Sequence, residues 1–251
     1  MKKNTTYHFK EIFARVWAIW GFISFLVTFL IIFIPSMLTY LIKGKKGQYA
    51  FVIVSRIWIK TWLFLIGCSL KVKGSQNFKP QETYIVTLNH NTLLDVPITC
   101  PFIPGANKTM GKTSFAKVPI FGLFYSKGAV LVDRKSTKSK IDSYTKMKNV
   151  LAQKMVMCIF PEGTRNRTKE PLKAFYDGAF KLSTETNTAI IPALLFNTNK
   201  AMPNNKTLYL LPTKLEMHFL PSISPIGLDS NELKEKVFNT MLEYYKNNIP
   251  L

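Results

Sequence analysis

Tyr84-Ile85-Val86-Thr87-Leu88-Asn89-His90-Asn91-Thr92-Leu93-Leu94-Asp95 is the stretch on which the fold turns. YIVTL is short, β-branched and apolar on both faces, which reads as a strand buried between helices. A polar block follows at once. His90 and Asp95 are five positions apart, and on a continuous helix they would point about 140° apart. They can pair only across a turn or a helix start, and a strand that hands over to a helix supplies one. In α/β sheets that is also where binding side chains collect. Working outward, similar strands are expected at 129–132, 156–160, 189–196 and 215–219. Helices are expected over 139–154 and 174–186. A last one starts at Asp229, where Asp229 and Glu232 have capping-box spacing and Leu233, Val237, Met241 and Tyr244 form the apolar stripe. This alternation predicts an α/β domain over residues 71–251, with a mixed sheet flanked by helices.

Residues 1–70 have a different texture. The run 16–42 holds 27 residues without a charge, long enough to cross a bilayer as a helix and too long for a signal-peptide core. A second apolar run, 49–70, carries Arg56 and Lys60 on one helical face, which fits a helix lying among lipid headgroups. Lys2, Lys3, Lys10 and Arg15 precede the first run, and Lys43, Lys45 and Lys46 follow it. A single span would place one basic cluster on the wrong side of the membrane, whereas a hairpin dipping into one leaflet keeps both on the same face. The region is expected to be a membrane-associating helical motif, either such a hairpin or one span plus an interfacial helix.

Lys and Arg outnumber Asp and Glu by 34 to 14, a net charge of +20 in 251 residues. Part of this excess reflects a Lys-rich composition. The remainder asks for an anionic partner: nucleic acid, an anionic membrane or a phosphorylated substrate. Nucleic acid is the poorest fit, because it leaves the apolar N-terminal run unexplained and no recognition motif is present. Cys68, Cys100 and Cys158 stand alone and the three His are scattered, so neither a disulfide framework nor a Cys/His metal site is expected.

Three blocks carry candidate chemistry. In the first, Asp95 can hold the imidazole tautomer of His90 while His90 removes a proton. Taken alone, the block reads more readily as a strand-end His bound to backbone with Asp95 as a helix cap. The second, Phe160-Pro161-Glu162-Gly163-Thr164-Arg165, follows another buried strand, and Arg165 suits bidentate phosphate binding. Alone it is a charged surface turn. The third, Gly128-Ala129-Val130-Leu131-Val132-Asp133-Arg134, delivers Arg134 at a strand end, and alone it is an ordinary basic loop. A Pro inside the apolar strand Ile190-Ile191-Pro192-Ala193-Leu194 marks an edge or an irregularity.

In order and spacing these blocks resemble the glycerolipid acyltransferase family, of the 1-acylglycerol-3-phosphate acyltransferase type. The family's H-x-x-x-x-D, G-x-x-[FI]-[IV]-x-R, F-P-E-G-T-R and apolar-Pro blocks match 89–95, 128–134, 160–165 and 190–194, and 111–122 (GKTSFAKVPIFG) looks like its Lys-containing stretch. Thr92 and Asn166 are mild departures. The resemblance covers about residues 70–225. It implies acyl transfer from acyl-CoA or acyl-carrier protein to the sn-2 hydroxyl of 1-acylglycerol 3-phosphate, giving phosphatidic acid. His90 would be the general base and Asp95 its orienting partner. Arg134, Glu162, Gly163, Thr164 and Arg165 would bind the acceptor, with help from Lys112. No metal and no cofactor beyond the thioester co-substrate are implied. The partners would be membrane lipid, the lysophosphatidic acid acceptor and the thioester carrier, with the catalytic domain on the cytoplasmic face of a bacterial inner membrane. The competing readings are the same chemistry on another lyso-lipid or an aminolipid, and an inactive basic protein that binds membrane surfaces.

Overall fold

A computed structural model describes residues 2–248. The side chains of residues 2–7, among them Lys2 and Lys3, lie outside the described residues. The elements run α1 (Lys2–Leu38), α2 (Gly44–Leu65), β1 (Ser69–Lys73), β2 (Ile85–Leu88), α3 (Asp95–Thr99), β3 (Asn107–Lys112), α4 (Thr113–Ala116), α5 (Phe121–Gly128), β4 (Ala129–Val132), α6 (Thr137–Ala152), β5 (Val156–Ile159), α7 (Gly178–Thr186), β6 (Ile190–Phe196), α8 (Thr198–Ala201), β7 (Lys214–Phe219) and α9 (Ser230–Asn247).

The strands form one mixed sheet in the order β1-β7-β6-β2-β5-β3-β4. β6, β2, β5, β3 and β4 are mutually parallel, while β7 runs antiparallel to β6 and parallel to β1. The central strands β2, β5 and β6 are buried at every residue, which is why they read as unbroken apolar runs. Two strands were not anticipated. β1 (SLKVK) alternates between exposed and half-buried at the sheet margin, and β3 (NKTMGK) is polar and held by pairing with β5 and β4. α9 starts on the capping box expected: Asp229 accepts the amides of Asn231 and Glu232, and Glu232 returns a bond to the Asp229 amide. The helix expected over 139–154 is α6, which starts two residues earlier because Ser136 caps it through the Ser139 amide.

α1 and α2 form an antiparallel hairpin around a turn at Thr39–Leu41. Indole N–H groups stitch it together: Trp17 to the Ile66 carbonyl at 3.0 Å, Trp62 to the Gly21 carbonyl at 2.9 Å and Trp58 to Thr28 Oγ1 at 3.0 Å. Trp58, Ile59, Trp62 and Leu63 are buried and join Val86, Leu88 and Cys158 of the sheet in one core. Each such side chain contributes about 2–3 kcal/mol of burial. α2 therefore covers one sheet face, and α6, α7 and α9 cover the other. The boundary expected at residue 70 falls inside β1, five residues past the end of α2, and a single core runs across it.

α1 buries one face on α2 and leaves the other bare. Ile12, Val16, Ile19, Ile23, Leu26, Leu30 and Ile34 recur at helical spacing and are all exposed. Within 16–42 every Ser, Thr and Tyr side chain has a partner. Ser24, Thr28, Ser36 and Thr39 donate to carbonyls three or four residues back, and Tyr40 donates to the Leu123 carbonyl.

Candidate active site

Parallel strands β2, β5, β3 and β4 end on one edge of the sheet, and each delivers a candidate residue there. His90 follows β2 by two residues, and the FPEGTR turn begins as β5 ends. Lys112 closes β3, and Arg134 lies two residues past β4. Lys112 is in register with Val132, so Lys112 and Arg134 leave neighbouring strands. Three strand spacings separate β2 from β4, roughly 14 Å.

His90 Nδ1 lies 2.9 Å from Asp95 Oδ2. Asp95 opens α3, so the pair meets across a helix start. The Asp95 carboxylate is fully buried, yet it also accepts the amides of Asn91 (2.5 Å) and Thr92 (2.7 Å) and the Thr92 hydroxyl (3.2 Å). Such a set of donors replaces the water that burial removes. An acceptor so saturated with donors assigns the imidazole proton to Nδ1. Nε2 then keeps its lone pair and makes no hydrogen bond among the described residues. The His90 side chain is 16% exposed, and its ring leans on Phe160 with centroids 4.7 Å apart.

The FPEGTR turn wraps the His90 backbone. Glu162 Oε1 accepts the His90 amide at 2.9 Å, and the Asn166 amide donates to the His90 carbonyl at 2.6 Å. Glu162 is wholly buried, and its other oxygen accepts the Lys173 amide at 3.2 Å. Burial pushes its carboxyl up to about 7, against the two amide bonds and with the Asp95 charge adding to the rise. Both oxygens are thus spent on backbone groups, so the geometry makes Glu162 a positioning residue rather than an acceptor ligand. Gly163 adopts φ +70°, and a Cβ there would lie 2.6 Å from the Tyr176 ring, so glycine is required. Thr164 is exposed and accepts from Lys173 Nζ at 2.8 Å. Arg165 is half-buried and, among the described residues, its guanidinium has no hydrogen bond or ion pair. Arg134 and Lys112 are exposed on the same edge, and among the described residues no hydrogen bond or ion pair joins them to His90.

A family model described as acyltransferase matches residues 69–195, more than half of the chain.

This chain belongs to the acyltransferase family.

Among similar proteins is the 1-acyl-sn-glycerol-3-phosphate acyltransferase of Borreliella burgdorferi, 29% identical over 185 residues (72% of this chain and 72% of that protein). The enzyme of that name from Saccharomyces cerevisiae is 32% identical over 170 residues (66% and 55%), and the alpha enzyme of Mus musculus is 27% identical over 188 residues (73% and 66%). The chain thus spans between about half and three quarters of the length of these relatives. The crystal structure of the 1-acyl-sn-glycerophosphate (LPA) acyltransferase PlsC from Thermotoga maritima matches with a TM-score of 0.79 at 19% identity, covering 96% of this chain and 99% of that one. At that identity the match establishes the shared fold.

Four further residues of this acyltransferase, given no role of their own from the sequence, build the site. Asn89 is fully buried and exchanges two hydrogen bonds with the Leu195 backbone (2.7 and 3.0 Å), fixing the end of β2 to β6. Phe160 supplies the surface against the imidazole. Lys173 carries the amide that shares Glu162. Asn204, in a segment that reads as a plain surface loop, donates to the carbonyls of Asn91 (3.2 Å) and Asn166 (2.5 Å), tying both blocks together. The adjacent Lys206 pairs with Glu11 of α1, so this loop also connects the site to the helical hairpin. Sequence offers only the Pro-Asn-Asn turn signal as a hint of it.

Proposed function

We propose that this acyltransferase moves a fatty acyl group from acyl-CoA or acyl-carrier protein to the sn-2 hydroxyl of 1-acylglycerol 3-phosphate, forming phosphatidic acid at a membrane surface. The observation that carries this reading is the His90–Asp95 pair, with the carboxylate sealed among four donors and Nε2 left open. The acceptor hydroxyl attacks the thioester carbonyl carbon as His90 Nε2 takes its proton. A C–O bond forms, the C–S bond breaks, and the proton passes from His90 to the departing thiolate. No nucleophile from the protein is required. Arg165 has no partner of its own among the described residues and sits one residue from the amide that grips His90, which suits it to the acceptor phosphate. Arg134 and Lys112 extend the positive edge toward the rest of the substrate.

The hairpin supports membrane attachment in the plane of one leaflet. α1 is about 55 Å long, and from Glu11 to the turn after α1 the hairpin touches the α/β domain. The Leu210 amide donates to Ala14, Phe29 packs on Phe121, and Tyr40 bonds to Leu123. Standing α1 upright in a bilayer would drag those polar segments through hydrocarbon. Lying flat, it buries its bare apolar face and keeps the domain in the cytoplasm, where the thioester donor is.

Purified protein should be given lysophosphatidic acid, lysophosphatidylethanolamine and lysophosphatidylcholine in mixed micelles, each with acyl-CoA and with acyl-carrier-protein donors. Phosphatidic acid should be the principal product. Faster acylation of the acceptors with zwitterionic headgroups would refute the acceptor assignment.

A further inference from the structure

A cavity of about 520 Å³ opens at the opposite edge of the sheet from His90. Its walls are the starts of β3 and β4, the residue before β5, one side of α6 and the hairpin turn. Lys108, Lys127 and Lys146 come into it from three different elements, with Gln48 and Tyr40 beside them, and none of its lining residues is Asp or Glu. Lys127 Nζ donates to the Thr39 carbonyl at 3.3 Å and lies over the Tyr40 ring, which fixes that ammonium at the hairpin turn. Among the described residues Lys108 and Lys146 have no hydrogen bond or ion pair. Lys108 and Lys127 are half-buried, and burial pushes both ammonium groups below the usual lysine range, with Lys127 adding to the effect at Lys108.

Three cations gathered in one concave site without a carboxylate repel one another, and an anion relieves that repulsion. The volume falls within the usual range for small-molecule sites, about 300–1,000 Å³, which suits a headgroup better than a bare ion. The mouth supplies the source. Tyr40 and Gly44 belong to the hairpin turn, whose neighbours Leu38, Leu41 and Ile42 are exposed apolar side chains. On the in-plane reading of the hairpin, on which this inference rests, those side chains enter the leaflet and the cavity opens at headgroup level.

We propose that this cavity binds the phosphate of an anionic membrane phospholipid, as a second lipid site remote from the acyl-transfer site. A lipid held there would anchor the hairpin turn end of the enzyme and help set its tilt on the membrane.

The test uses the full chain in neutral detergent micelles, titrated with dihexanoyl phosphatidylglycerol, a phosphodiester that is not an acyl acceptor. Wild type should bind it saturably, and Lys108→Gln with Lys146→Gln should weaken binding by about tenfold or more. Lys43→Gln with Lys45→Gln removes the same charge from the turn outside the cavity and should weaken it by no more than about threefold. Equal losses in the two double variants, or no loss in the first, would overturn the proposal. A parallel titration with glycerol 3-phosphate separates the sources: binding as tight as the lipid's would make the ligand a soluble phosphate and overturn the lipid assignment. Thermal unfolding and lysophosphatidic acid turnover of both variants should match wild type. Failure of the wild type to bind neutral vesicles would instead refute the in-plane hairpin, whatever the cavity does.

Discussion

Glu162 Oε1 accepts the backbone amide of His90 at 2.9 Å, joining residues 72 positions apart in the chain. The turn after β5 thus acts on the base through its backbone, while Asp95 acts through the ring. Because burial raises the Glu162 carboxyl to about 7 from an ordinary 4.5, the folded state holds this proton more tightly than the unfolded chain. Its contribution to stability is complete below about pH 4.5 and is lost as pH rises through about 7, a span worth about 3 kcal/mol. Urea unfolding across pH 4.5–8.5 should show that decline in wild type and a flatter profile in Glu162→Gln. Glu162→Ala should lower kcat strongly with little change in either KM. Parallel profiles for wild type and Glu162→Gln would count against the titration.

His90→Ala should lower kcat by about 10²–10⁴-fold, as for loss of a positioned base, with the melting temperature nearly unchanged. Asp95→Asn should be as severe in kcat and should also destabilise the fold by about 1–3 kcal/mol, because its amide N–H₂ would face donors that need an acceptor. Single-turnover kinetics with calorimetry on the same samples tests both. A folded His90→Ala protein with near-normal turnover would eliminate the mechanism.

The two arginines should separate. Arg165→Ala should raise the acceptor KM about tenfold or more, as for loss of a charged hydrogen bond, with the donor KM little altered. Arg134 leaves a strand three places from that of His90, so Arg134→Ala should act on KM with kcat largely intact. Steady-state kinetics with both substrates varied would show it. A rise confined to the donor KM in Arg165→Ala would move this residue to the thioester side.

Asn204→Ala breaks both bonds that tie the His90 block to the FPEGTR turn. An activity loss of about five- to tenfold, mostly in kcat, and about 1–2 kcal/mol of stability are expected. Asn204→Asp should be worse than Ala, because a carboxylate would face the carbonyls of Asn91 and Asn166 with no proton to donate. Equal behaviour of the two variants would mean the bonds contribute nothing to the site.

For the hairpin, a membrane-impermeant amine reagent should label Lys10 and Lys45 from the cytoplasmic side only. Both are exposed, and they lie on either side of the uncharged run. High salt should leave the protein on the membrane, since apolar burial rather than screened charge holds it. Labelling of Lys10 from the opposite side alone would establish a span.

Local pattern determined much of this protein. The unbroken apolar runs of β2, β5 and β6, the Asp229–Glu232 cap of α9 and the long uncharged helix are decided by neighbours within a few positions, so the residues themselves announce them. The His90–Asp95 pair is of the same kind, because five residues and a helix start are enough to form it. Other features have causes that lie far away in the chain. β3 is a strand only because β4 and β5 bond to its polar backbone, and β1 only because β7 does. Glu162 reads as a substrate ligand until the fold turns its carboxylate inward to a backbone amide 72 residues away. Asn204 reads as loop until it reaches Asn91 across 113 positions. The choice between hairpin and span was open in the residues, since hydropathy measures how apolar a helix is and not what it packs against. Tryptophan bonds fold α1 and α2 back on each other, because a hydrogen bond between distant segments exists only once the chain has brought them together.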